Sequence, residues 1–173
     1  MNKIFTYPLI YRLIYKFGNI PVSLILLLYL PPLIITFKWE YKYIVSGLFL
    51  IVAIIFINRY FYVIAKSIAY KIETDDEKLT ATQFLGSSKT VNISFDEIDK
   101  LSGGIFDGKP RGMMRIENTA SNKTIAFFHS IENARILEAL ILSKVKKKLY
   151  DAVIDKFTQK KEKVQKLIDK KKK

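Results

Sequence analysis

From Ile20 to Ile57 the chain carries only three charges, Lys38, Glu40 and Lys42, and no other feature limits its fold so strongly. A chain of 173 residues builds about one soluble domain of roughly 100–150 residues. The core of such a domain is assembled from short apolar periods broken by charge, so a long uncharged stretch calls for lipid as its solvent.

Ile20 to Phe37 is an uncharged run of 18 residues. As a helix it would measure about 27 Å against a hydrocarbon core of about 30 Å. Asn19 is placed to cap it and Pro21 falls in its first turn, where a missing N–H costs nothing. Pro31-Pro32 predicts a kink. A second crossing is expected over 43–65, with Arg59 snorkelling toward the headgroups beside Tyr60 and Tyr62. The link between the two runs is short, so 20–65 reads as a transmembrane hairpin with Trp39 as a further interfacial anchor. Both ends of the protein then share one side. Lys3, Arg12 and Lys16, with Arg59, Lys66 and Lys71, outnumber the two lysines of the link. The positive-inside bias therefore predicts a multi-pass protein of the cell membrane with both termini cytoplasmic. A cleaved signal peptide is not expected, because the first apolar run starts late, lacks a small-residue exit and is followed by a second run.

Residues 1–19 hold Ile4, Phe5, Leu9, Ile10, Leu13, Ile14 and Phe17 at roughly helical spacing beside Arg12 and Lys16. They read either as a helix lying in the membrane interface or as a frayed end.

Beyond Ser67 the pattern changes to short segments of alternating polarity separated by turn residues, which predicts antiparallel strands. Strands are expected at Tyr70–Ile72, Lys78–Leu85, Val91–Phe95, Ile98–Ser102, Met114–Glu117 and Lys123–Phe128. The turns fall at Thr74–Glu77, at Gly86-Ser87-Ser88 and in a long flexible loop from Gly103 to Gly112. A helix is expected from residue 131, with Ser130 as N-cap and Glu132 in the first turn. Ile136, Leu137, Leu140, Ile141 and Val145 form its apolar face. Neither Gly nor Pro follows Gly112, so this helix is expected to run on past Lys148. These readings give a β domain over 66–145 and a lysine-rich amphipathic helical tail over 146–173. The fold class is α+β: a two-helix membrane hairpin, then a bent antiparallel sheet or barrel of 6–7 strands capped by a C-terminal helix.

The anchor of two helices, followed by YKIETDDEKLTA, VNISFDEIDKL, MMRIENT and IAFF before a closing helix, resembles the bacterial pleckstrin-homology-like domain family, in its membrane-anchored branch. The resemblance covers about Ile20 to Leu149. Its most telling residues are Tyr70, Thr74-Asp75-Asp76, Leu79, Ile93 and Asp96–Ile98. It implies a seven-stranded, strongly bent sheet closed by a helix, and no catalytic residues. The lysine-rich extension lies outside it. In eukaryotic relatives phosphoinositides are gripped by cations between the first two strands. Here that turn is Glu73-Thr74-Asp75-Asp76-Glu77, whose acids would repel a phosphorylated headgroup.

The chain has no cysteine and one histidine, His129, which excludes disulfides, thiolate metal sites and thiol catalysis. His129 sits where the last strand meets the closing helix and reads as structural. The acids of 73–77 lack the spacing and glycine of a calcium loop. The glycines of 103–112 lack the lysine and hydroxyl of a phosphate loop. No catalytic, cofactor or metal residues are expected, and the chain reads as a non-enzyme.

Two contact surfaces are candidates. Ile105 and Phe106, beside Lys109 and Arg111, combine an apolar loop tip with two cations that could dip into a membrane or grip a partner. Lys144 to Lys173 holds 13 lysines against four acids. Of these, Lys146, Lys147, Lys148, Lys160, Lys161 and Lys163 could lie on anionic lipid. The same charge could tether RNA or ribosomes, although sparse aromatics and the absence of arginine make nucleic acid the weaker partner. The leading expectation is a membrane-tethered binding or scaffolding module that offers its β domain to a protein partner or to its own copies. The rival is a small oligomeric channel or transport accessory in which the Pro31-Pro32 kink and Arg59 line the pore, with polar faces offered only by Ser23, Tyr29, Thr36, Ser46 and Asn58.

Overall fold

A computed structural model describes residues 3–35, 40–84 and 87–171, with side chains to residue 162. The chain mixes helices with antiparallel sheets and divides into two units. A helical unit comprises Leu9–Ser67. A β unit comprises Met1–Pro8 together with Ile68–Lys173.

The β unit starts with a strand that sequence periodicity does not reveal. β1 (Lys3–Thr6) pairs antiparallel with β2 (Ala69–Thr74), with Phe5 opposite Ile72 and Thr6 opposite Lys71. Residues 1–19 are therefore neither one interfacial segment nor a frayed end. They split at Pro8 into this strand and a helix. The split follows from burial: Phe5 and Tyr7 alternate inward at 3% and 2% exposure, while Ile4 between strand partners faces solvent. The Tyr7 hydroxyl accepts the Phe128 N–H at 2.6 Å, and its ring meets Tyr70 edge to face at 6.1 Å. The Thr6 carbonyl accepts the Glu132 N–H at 2.9 Å.

β3 (Lys78–Phe84) and β4 (Val91–Ser94) extend this sheet in the order β1-β2-β3-β4. β5 (Lys100–Ser102), β6 (Met113–Asn118) and β7 (Lys123–Phe128) form a second sheet in sequence order. A parallel bridge from Ile68 to Ala126 links the two, and β7 lies against β2 and β4. Alternation is kept where one face is wet. Leu79 and Ala81, Val91 and Ile93, and Met114 and Ile116 point into the core, while Asn92 and Arg115 point out. Leu85 and Gly86, expected to end β3 and open its turn, lie outside the described residues.

The closing helix begins later than its capping residues suggest. Ile131 is buried, and its N–H bonds the Phe128 carbonyl in a turn that uses up Ser130. α5 spans Ala134–Lys144, entered through Asn133 in the left-handed region that asparagine tolerates. Nor does it continue as one rod into the tail. Val145 is extended, at φ −76° and ψ 161°, and a separate helix α6 runs over Lys147–Lys171. The break occurs without glycine or proline, and Val145 at it and Val153 beyond it are both buried.

In the helical unit α1 (Leu9–Phe17), α2 (Asn19–Leu27) and α3 (Leu30–Ile35) pack along α4 (Tyr41–Ser67). Of the two crossings expected, only α4, at 27 residues, is by itself clearly long and apolar enough to span a membrane. The first limb is broken, with α1 meeting the α2–α3 stretch at 46°. That bend falls at Gly18, where a Cβ would lie 2.7 Å from the Phe61 ring. The second interruption comes before Pro31-Pro32 and not at them. Their missing N–H groups would leave the Leu27 and Leu28 carbonyls unbonded inside one helix, so α2 stops at Leu27 and both prolines fall in the first turn of α3. Between the limbs Asn58 accepts from the Asn19 amide at 2.7 Å, donates to the Ser23 hydroxyl at 2.8 Å and donates to the Ile54 carbonyl at 2.9 Å.

Candidate functional site

The loop after β5 is a built structure. Gly103 takes φ +77°, where a Cβ would meet the Met113 carbonyl oxygen at 2.0 Å, so only glycine fits. Gly104–Asp107 then form a 3₁₀ turn. Asp107 fastens it on two sides: one carboxylate oxygen accepts the Gly103 N–H at 2.7 Å, and the other accepts the Lys156 ammonium from α6 at 2.7 Å. Gly108 completes the fit, because a Cβ there would stand 3.3 Å from the Lys156 carbonyl oxygen.

This arrangement corrects the expected contact loop. Phe106 is fully buried and belongs to the core, so it cannot form an apolar tip. Ile105 is half-buried, while Lys109 and Arg111 are exposed. The loop was expected to be flexible because it is rich in glycine. Those glycines instead permit the positive φ angles that turn Phe106 inward.

Ile105, Lys109 and Arg111 do share a cleft of about 190 Å³ with Gly104, Gly108, Pro110, Gly112, Met114, His129, Glu138 and Phe157. His129 is half-exposed on the wall, and its Nδ1 lies 2.8 Å from Oε1 of Glu138, whose side chain is only 3% exposed. Sequence reasoning missed Glu138. The signal was present, since Glu138 follows Ala134 by four residues and precedes Ile141 by three, placing a carboxylate on the buried face of α5. The lining holds no serine, threonine or cysteine among the described residues, so the imidazole–carboxylate pair has no hydroxyl or thiol to activate.

The tail is also partly built in. Val153 is buried, Phe157 walls the cleft and the Lys160 stem lies near Gly108, so the first turns of α6 dock on the 3₁₀ turn and β5. Lys146, Lys147, Lys148 and Lys161 are exposed, and Lys160 is half-buried. The Lys163 side chain lies outside the described residues, as do Trp39 and the rest of 36–39. Arg59, Tyr60 and Tyr62 are exposed on α4, with the Lys66 ammonium 5.8 Å from the Tyr62 ring centre.

The acidic turn of 73–77 is structural. Asp75 accepts the Glu77 and Lys78 N–H groups at 2.8 and 2.7 Å, which holds its carboxyl below the usual range. Lys144 donates to the Asp76 carbonyl at 2.8 Å and sits 5.1 Å from the Phe95 ring centre. No cluster of three metal-ligating side chains occurs among the described residues.

Asp107 gives the tail a pH dependence. Lys156, then the Gly103 N–H, hold its carboxyl below its ordinary 3.8. A depressed carboxylate contributes fully above the unfolded value and loses that contribution as pH falls through the folded one. Docking of α6 is expected to loosen below about pH 4, and Asp107→Asn is expected to remove that acid step. Amide exchange across Ala152–Phe157, compared between pH 6 and pH 3, checks it.

Neither a family model, nor a curated protein, nor a solved structure matches the chain.

Proposed function

We propose that the chain is a membrane-tethered, non-enzymatic binding module of the bacterial pleckstrin-homology-like type. In this reading the β unit is held at the cytoplasmic face by a helical hairpin inserted between two paired strands. The supporting observation is the pairing of Thr6 with Lys71. The chain leaves the sheet at Thr6 and re-enters it at Ala69, two residues before the partner of Thr6, with only Tyr7 and Pro8 before α1 and Ile68 after α4. An insert whose ends are cross-strand neighbours crosses a bilayer an even number of times. If α4 crosses, 9–35 must return the chain, bent as it is. The flanks also fit, since Ile44, Leu48, Phe49, Ile55 and Phe56 of α4 are all exposed and apolar, as lipid requires.

The four-stranded and three-stranded sheets with a closing helix support the family resemblance. Ser23 and Asn58 bond each other and Asn19, which leaves less polarity for an oligomeric pore and makes them interhelical glue. From Lys161 to Lys173 there are seven lysines against two acids, a surplus able to meet anionic headgroups.

The absence of native cysteine makes the topology directly measurable. Lys3→Cys and Ser121→Cys are expected to react with an impermeant maleimide from one side of sealed vesicles, and Glu40→Cys from the other. Labelling of Lys3→Cys and Ser121→Cys from opposite sides would sink the even crossing and the pairing of β1 with β2, and labelling of all three from one side would sink the hairpin.

A further inference from the structure

We propose that the cleft between the 3₁₀ turn, His129, Glu138 and Phe157 binds a small zwitterion of the aminoalkyl phosphate class. The ammonium would sit against Glu138 and the phosphate on Lys109 and Arg111. The inference does not rest on the membrane reading.

Glu138, at 3% exposure, accepts one hydrogen bond among the described residues, at Oε1 from the half-exposed imidazole. Neither of its oxygens is both sealed from solvent and without a partner, which leaves the second reachable from the cleft. The remaining wall of that cleft is largely apolar, with Met114 and Phe157 present to cover a short methylene stem. Lys109 and Arg111 also line the cleft and are exposed; Lys109 acts on the Asp107 carboxylate, which Lys156 and the Gly103 N–H already hold.

The two signs of charge select jointly. A plain anion drawn to Lys109 and Arg111 meets the Glu138 carboxylate, and a plain amine drawn to Glu138 meets two cations. A molecule with both charges on a short stem satisfies each end. Size agrees: at about 190 Å³ the cleft is below the range of ordinary drug-sized pockets. Such a group occurs free or as the headgroup of an ethanolamine phospholipid.

His129 is the only histidine, so the imidazole C–H resonances of the full-length chain report this one site. In maltoside detergent at pH 7, O-phosphoethanolamine is expected to shift them saturably. Inorganic phosphate and ethanolamine should each need at least tenfold higher concentration. Glu138→Gln and Arg111→Ala should each weaken the response at least tenfold; Arg111 is on the surface, so that variant tests the site even if Glu138→Gln fails to fold. In nanodiscs, a shift with phosphatidylethanolamine but not phosphatidylcholine identifies the lipid as the source, and a shift only with added phosphoethanolamine identifies the free compound. No shift with phosphoethanolamine, or an equal response to inorganic phosphate or ethanolamine alone, overturns the proposal. Neither result bears on the maleimide topology.

Discussion

A chain that starts at Leu9 is expected not to fold its β unit, although six of the seven strands lie beyond Ile68. The deletion strips β1 from β2 and takes Phe5 and Tyr7, both nearly sealed from solvent, out of the core. Truncating one buried aromatic costs about 3–5 kcal/mol, against a total domain stability of about 5–15 kcal/mol. Losing two, about 6–10 kcal/mol, together with a row of strand hydrogen bonds, is comparable to that whole stability. The milder variant Phe5→Ala is expected to cost at least about 3 kcal/mol and to speed amide exchange throughout β2 and β3 at least 100-fold. If residues 1–8 were merely an interfacial tether, the same deletion would weaken membrane association and leave that exchange unchanged.

Why β1 escapes a reading of the sequence is a matter of range. Most of the later described strands are legible because they alternate next to their own turns, as Leu79 and Ala81 do beside the Asx turn of Asp75. Lys3–Thr6 is four residues long, and its partner lies across the whole helical unit, Ile4 facing Glu73. Only Pro8 separates it from the apolar helix that follows, and a proline fits equally well in the first turn of one longer helix. The same limit applies to α5 and α6: helix propensity, and an apolar stripe that includes both Val145 and Val153, favour one continuous rod, and nothing local marks the extended backbone at Val145. At the cleft, Lys109, Arg111 and His129 could be picked out singly by residue type. Their convergence on Glu138 depends on a loop, a strand end and two helices meeting, which no single stretch of sequence encodes.

Phe106 tests the loop in the same terms. As a membrane-dipping tip it would be dispensable for folding, and Phe106→Ala would reduce only lipid or partner affinity. As the fully buried centre of the 3₁₀ turn it is expected to cost about 3–5 kcal/mol on truncation, enough to lower the unfolding midpoint of the β unit by 10 °C or more by the usual relation for domains of about 100 residues. Neighbouring substitutions calibrate the result. Lys109→Ala and Arg111→Ala, both exposed, are expected to stay within about 0.5 kcal/mol of the parent. The loss at Phe106 should also reach α6, because the 3₁₀ turn that Phe106 anchors presents Asp107 to Lys156 and Gly108 to the α6 backbone. Amides over Ala152–Phe157 are therefore expected to lose protection in Phe106→Ala and to keep it in Lys109→Ala. A Phe106→Ala chain with parental stability and an equally protected α6 would show that the turn does not hold the tail.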